Sequence, residues 1–469
     1  MRQQEELAEK IRRMTRDPVE KLVLRMAAPT MTIMMISALY NMVDTYFVGQ
    51  IGTPATAAVG ITFSLMAVIQ AVGFFFGHGS GNYLSRELGA GRLDNAAKMT
   101  ATGFFTSFFV GIGIAACGLA FLKELAVELG ATETILPHAL DYLPYILMGA
   151  PLMTASFTLN NLLRFQGSAF YGMIGMASGA VLNIILDPIL IFGFDMGVRG
   201  AAVATLVSQF VSFCLLIAGS GRRGNIRLRF RNFSPSLAAY REILRGGFPS
   251  LCRQGLASVA AVCLNRLAGD FGDSAIAAMS IVQRVNMFAT ALLLGFGQGF
   301  QPVCGFNYGA GRYDRVKKAF WFCVKSSVVV LAVLAAVAFV AAPAIIALFR
   351  ADDPEVIRIG TLALRMQCLI FPSVSWVIVN NMMLQNIGRA WRASIMAMSR
   401  QGLFMLPLLF TLTPRYGLLG IQASQPLADV LTFLLSIPIG VGVLRSMPDA
   451  AVAADVPEIV TEGAADELG

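Results

Sequence analysis

Two aspartates stand where an aspartate is costly. In VLNIILDPILIFGF, Val181 to Phe194, Asp187 is flanked by aliphatic and aromatic side chains and followed by Pro188. In YNMVDTYFVG, Asp44 keeps similar company, with Asn41 and Tyr40 three and four residues before it. Asn183 precedes Asp187 by four residues, one helical turn away on the same face. A carboxylate in hydrocarbon costs about 2.5–3.5 kcal/mol at a helix centre and reads as functional by default. Burial penalises the charged form, and a second carboxylate nearby penalises it again. A close pair therefore takes up a proton on one side and returns it when its surroundings change. A sodium ion could use the same oxygens, helped by Asn183 and the Thr205 hydroxyl. The plainer alternative is two buried acids, each satisfied by an asparagine or a hydroxyl.

The elements that must position these groups follow from composition. The chain has 469 residues, 56% hydrophobic and 14% charged, with a mean hydropathy of +0.67. A soluble domain carries about 25% charged residues. The deficit runs along the whole chain, which implies an all-α integral membrane protein rather than a soluble one with a single anchor. Candidate spans of about 20 apolar residues begin near Leu22, Ala55, Thr100, His138, Ala169 and Gly200, and again near Gly247, Ser274, Ala319, Val356, Ser394 and Leu418. The charged segment before Leu22 lacks an apolar core and is read as a tail, not a cleavable signal peptide. The cysteines are scattered singly in apolar segments, and His78 and His138 stand apart, so no metal cluster and no cofactor is expected.

Lysine and arginine mark one side of the membrane. They crowd the N-terminal segment and the connections after spans 2, 6, 8 and 10, whereas GQIG after span 1 has none. The positive-inside rule then places both termini in the cytoplasm. The net charge of +8 is thereby a topology signal that calls for no nucleic-acid partner. In this orientation Asp44 and Asp187 fall at similar depth near the outer ends of spans 1 and 5. Tyr142 in span 4 and Thr205 in span 6 reach the same height. Asn160 lies towards the inner end of span 4. Asp429 in span 12 is acidic too, with no matching partner in the sequence.

The chain repeats itself. GQIGTPATAAVG at Gly49 matches GDFGDSAIAAMS at Gly269, and GHGSGNYLSRELGAGRLD at Gly77 matches GQGFQPVCGFNYGAGRYD at Gly297, both at a separation of 220 residues. Pro29 and Pro249 share that separation, whereas Pro151 and Pro372 differ by one more. Six spans per copy make the repeats parallel, with a cleft expected between two lobes that rock against each other. The division is a tail at 1–21, a first lobe at 22–220, a basic linker at 221–246, a second lobe at 247–446 and a disordered acidic tail at 447–469. GAGRLD and GAGRYD lack the GK[ST] ending of a P-loop and read as turns. At the positions of Asp44 and Asp187 the second lobe has Leu264 and Pro407, and offers Arg253, Gln254, Arg284 and Arg365 instead. Coupling chemistry therefore belongs to the first lobe.

YNMVDTYFVGQIG at Tyr40, LNNLLRFQG at Leu159, NIILDPILIFGFDMGVRGAAVAT at Asn183 and GQGFQPVCGFNYGAGRYD at Gly297 together resemble the multidrug and toxic compound extrusion (MATE) family, nearest to its prokaryotic DNA-damage-inducible-type branch. The resemblance runs from about Leu22 to the end of span 12. It implies two six-helix bundles exporting amphipathic, often cationic compounds in exchange for protons or sodium. It implies coupling carboxylates at Asp44 and Asp187, support from Asn183, Thr205, Tyr142 and Asn160, and helix bending at Pro29, to which the residues themselves add Pro188. Another branch uses acids in spans 7 and 10, where this chain has Gln254 and none. The expected setting is a monomer in the prokaryotic plasma (inner) membrane, in contact with lipid and a small amphipathic substrate. A lipid-linked oligosaccharide flippase of the same superfamily is the alternative transporter, and an intramembrane enzyme or a channel finds less support in these residues.

Overall fold

Inside hydrocarbon a helix satisfies its whole backbone within one segment, and the described spans use helix throughout. The computed structural model describes residues 2–350 and 352–448, with helices and connections and no strand among them. The twelve spans are Val19–Gly49, Thr53–Gly89, Leu93–Ala120, Leu136–Phe165, Ala169–Gly193, Gly197–Ser220, Leu237–Gly269, Asp273–Gly309, Tyr313–Phe349, Pro354–Asn386, Ala390–Tyr416 and Leu418–Ser446. Spans 2–6 and 8–12 have both the length and the hydropathy of a membrane crossing. Span 7 starts ten residues earlier than its apolar stretch, so the predicted basic linker is partly helix. The acidic tail from Asp449 onward lies outside the described residues.

The repeat is written into the backbone. Left-handed glycines recur as pairs: Gly52 and Gly272, Gly91 and Gly311, Gly167 and Gly388, Gly197 and Gly417. A side chain is strained in that conformation, which fixes glycine at each turn. The third pair is separated by 221 residues and the others by 220, so the extra residue seen at Pro372 is lost again within span 11. Both fifth helices depart from α geometry beside a proline. In span 5 a π-helical turn, Ile189–Gly193, follows Pro188; in span 11 one at Ser399–Met405 precedes Pro407. Proline removes an N–H and crowds the carbonyl four residues back, which favours such local rewinding.

Two compact units result. Among the described residues, one holds the leading helix and Ala28–Gly247; the other holds Pro18–Ala27 and residues 248–448. The division falls within spans 1 and 7, not in loops. Two glycines make this feasible: a Cβ on Gly79 would overlap the Ile243 backbone in the first unit, and one on Gly299 would overlap Ala27 in the second. Within the first unit span 4 is central, packed by spans 2, 3 and 6 around Ile69, Leu143, Leu147 and Ala201. Span 10 has the same place in the second, among spans 8, 9 and 12.

The segment read as an N-terminal tail is instead an amphipathic helix, Arg2–Arg16. Leu7, Ile11 and Met14 are buried, at a spacing that puts them on one helical face. Lys10 reaches Ser168 Oγ at 2.8 Å and Asn225 Oδ1 at 2.6 Å, joining the turn after span 4 to the chain after span 6. Burial pushes the Lys10 ammonium down to about 8, against a smaller upward pull from Glu6. Between about pH 8 and 10.5 the docked lysine has lost its proton and the undocked one has kept it. Stability of the docked helix should therefore rise with pH across that window. Protease nicking of residues 2–16, followed from pH 7.5 to 10.5, should slow as pH rises; in Lys10→Met that dependence should vanish.

Candidate functional site

Asp44 and Asp187 are buried, at 2% and 0% exposure. Their carboxyl groups face each other within hydrogen-bonding reach, so that one can share a proton with the other. Asp44 lies five residues before the end of span 1 and Asp187 six before the end of span 5, which equalises their depth. The rings of Phe47 and Phe192 meet edge to face at 6.4 Å just beyond them. Asn183 and Thr205 complete the group, both buried. With its amide nitrogen towards the carboxylate, Asn183 donates to Asp187 Oδ2 at 2.9 Å and accepts from the Thr205 backbone N–H at 3.2 Å. The reverse orientation aims its oxygen at another oxygen and keeps only a 3.3 Å contact to Thr205 Oγ1. Tyr40 and Tyr142 bring their hydroxyls beside Thr205.

The chemistry lies in what is missing around the acids. Asp44 Oδ1 and Asp187 Oδ1 are buried with no hydrogen-bond partner among the described residues. Among the described residues no basic side chain contributes to the surroundings of either acid. Two bare carboxylates in a dry pocket repel each other, and a proton or a small cation between them removes that repulsion. The donor set suits either ion: two free carboxylate oxygens with a threonine hydroxyl at hand.

Other expected residues fall differently. Asn160 sets its side-chain oxygen against Gly172. That is eleven residues before Asn183 on span 5, about 16 Å along the helix axis, so Asn160 does not join the acids. Pro29 is buried in span 1, and the helix continues through it. The side chain of Asn41 lies outside the described residues. His78, set apart in the sequence, has its Nε2 3.2 Å from Arg164 Nη2 in the first-unit core.

Asp429 does have partners. Arg400 Nε donates to its Oδ1 at 2.7 Å, Gln425 Nε2 to the same oxygen at 2.9 Å, and Gln367 Nε2 to Oδ2 at 2.8 Å. Arg400, mid-way along span 11, is the residue that sequence reasoning missed; a charge inside an apolar span was the available signal. Gln425 stands at the position equivalent to Thr205, 220 residues on. Arg253 lies near enough for its charge to oppose that of Arg400. Arg365 donates to the Phe339 carbonyl at 3.2 Å and sits over its ring. Both oxygens of Asp429 are thus partnered, by an arginine and two amides, whereas each acid of the first unit keeps an unpartnered oxygen.

Comparison with known proteins agrees with this architecture. The MatE family profile matches twice, over residues 29–189 and 249–411. The multidrug export protein MepA of Staphylococcus haemolyticus is 30% identical over 421 residues, covering 89% of this chain and 92% of that protein. The outward-facing conformation of a multidrug resistance MATE family transporter of the MOP superfamily superposes with a TM-score of 0.86 at 25% identity, covering 93% of this chain and 98% of the other. A MATE structure in a bent conformation gives 0.87 with the same identity and coverage. The relatives are exporters, not enzymes. The duplicated profile, the shared length and the paired six-helix backbone place this chain in the MatE family of multidrug efflux transporters, as a multi-pass membrane protein of twelve helices in two repeats.

Proposed function

We propose that this exporter is an antiporter in which Asp44 and Asp187 carry the coupling ion, a proton or a sodium ion, and that it expels amphipathic, often cationic compounds. The observation that carries the reading is the facing pair of buried acids, each with an unpartnered oxygen and neither with a basic neighbour. Occupying the pair neutralises its repulsion and lets the surrounding helices close on it. Releasing the ion restores the charge and with it the preference for a different arrangement of spans 1 and 5. Pro29 and the π turn after Pro188 supply the points at which those spans yield. A related MATE protein has been captured in a bent conformation and another in a straight one, so structures of this kind do change shape. The basic connections support cytoplasmic termini in a prokaryotic inner membrane. Placement in the DNA-damage-inducible-type branch rests on the same two acids.

Purified protein in weakly buffered detergent tests this directly. Adding a cationic dye substrate should release protons, or, if sodium is the ion, should do so only weakly while lowering sodium affinity. Dye binding that leaves both ions undisturbed would remove the antiport reading.

A further inference from the structure

The two units differ at one equivalent place. In the first, the turn at Gly167 and the end of span 6 are bridged by the leading helix. Lys10 bonds Ser168 and Asn225, Met14 packs near Gly167, and Tyr171 packs on Gly219. In the second unit the same turn is built at Gly388, with the same left-handed glycine and the same backbone bond from the following residue, Arg389 N–H to Leu384 O at 2.9 Å. Arg389 and Arg392 stand where Ser168 and Tyr171 stand in the first, and Ile439 where Gly219 does. Among the described residues no helix fills this groove. It is a cavity of about 400 Å³ lined by Arg389, Arg392, Pro438, Ile439, Gly442 and Ser446.

Its chemistry is split. Neither guanidinium forms a side-chain hydrogen bond or ion pair among the described residues. On the other wall an apolar stripe of span 12 leads into the cavity. Leu427, Leu431 and Leu434 are exposed and, spaced by four and three residues, share a helical face with Pro438. Gly442 leaves open space where a side chain would intrude. The cavity lies at the end of the unit where the basic connections gather, the level of a membrane headgroup layer. Paired arginines above an apolar track match a phosphate above an acyl chain.

We propose that this groove is a binding site for an anionic phospholipid, its phosphate between Arg389 and Arg392 and an acyl chain along the Leu427–Pro438 face of span 12. The acidic segment of this chain after Met447 also carries negative charge, and cutting the chain there distinguishes it from a lipid. An anionic lipid seated here fills in the second unit the place that the leading helix fills in the first.

Trp391, exposed between the two arginines, is a built-in reporter. Full-length protein in mixed micelles would be titrated with brominated phosphatidylglycerol and brominated phosphatidylcholine. The quenching that disappears in Trp391→Phe is the signal of interest. The anionic lipid should quench it at about thirtyfold lower mole fraction, each basic side chain at a membrane surface being worth roughly fivefold. In Arg389→Gln/Arg392→Gln the two lipids should become equivalent, while Arg389→Lys/Arg392→Lys should keep most of the preference and control for folding. Inorganic phosphate should fail to compete at millimolar concentration, which separates a lipid site from a free-phosphate site. Equal quenching by both lipids in the wild-type chain would overturn the proposal. So would effective competition by phosphate, or anionic-lipid binding that appears only when the chain is cut after Pro448, which would make the acidic segment the occupant.

Discussion

Asp187→Asn is expected to leave an exporter that still binds its substrate but no longer links binding to an ion. The amide keeps the size of the carboxyl group and can still bond Asn183, so the fold is spared. It cannot lose a proton or balance a cation, and Asp44 then faces no negative neighbour. In the wild-type chain, filling the pair with protons or sodium should weaken substrate binding by a factor in the usual range for coupled sites, about 5–150-fold. Coupling is reciprocal, so substrate should expel the ion by the same factor. In Asp187→Asn, and likewise in Asp44→Asn, that factor should fall to about one, and uphill efflux from liposomes under an imposed ion gradient should drop to the leak rate. Dye affinity measured from pH 5.5 to 8.5, with and without sodium, provides the test. A variant whose affinity still tracks pH or sodium as the wild type does would show that the exchangeable site lies elsewhere.

How much of this was legible beforehand depended on what kind of information each feature needs. Spans and repeat require only hydropathy and motif spacing along the chain, and nine of the twelve observed helices begin within four residues of the expected starts, whereas spans 3, 7 and 9 begin six to ten residues earlier because their first turns are polar. The pairing of Asp44 with Asp187 required depth alone, because two carboxylates near the outer ends of helices in one bundle have few places to go. Rotation about a helix axis was beyond reach. Depth already put Asn160 towards the inner end of span 4, and the structure keeps it there, against Gly172 and three turns from Asn183; resemblance alone had drawn it into the site. Asp429 looked solitary because Arg400 and Gln367 come from spans 11 and 10 and meet it only when the bundle forms; Gln425, one turn before it in span 12, was within reach of the spacing. The leading helix was a missed period rather than a hidden one. Leu7, Ile11 and Met14 sit at helical spacing between charges, a pattern that twenty-residue windows tuned to membrane spans average away.

The Arg400–Asp429 pair should prove to be a structural lock whose single removal is far worse than its double removal. Asp429 is almost completely buried and Arg400 mostly so. Replacing Arg400 by methionine leaves a carboxylate with only Gln367 and Gln425 to hold it. Breaking one side of a buried pair costs about 3–5 kcal/mol, because the remaining charge is stranded. For a unit of this size that corresponds to a fall of roughly 6–20 °C in the midpoint of thermal unfolding. Arg400→Met/Asp429→Leu strands nothing. It trades the pair for apolar contacts of similar volume, an exchange that is often neutral or stabilising, and should recover most of the loss. Arg253 sharpens the expectation. In Asp429→Asn, Arg400 and Arg253 repel with no anion between them, so this variant should be at least as unstable as Arg400→Met despite its near-identical shape. Tryptophan fluorescence melts in one detergent would rank the four proteins. If the double variant melts as low as Arg400→Met, the pair contributes through its own attraction and not merely by cancelling a buried charge. If none of them shifts, Asp429 is not held as the geometry indicates, and the second unit would regain its claim to a mobile ion.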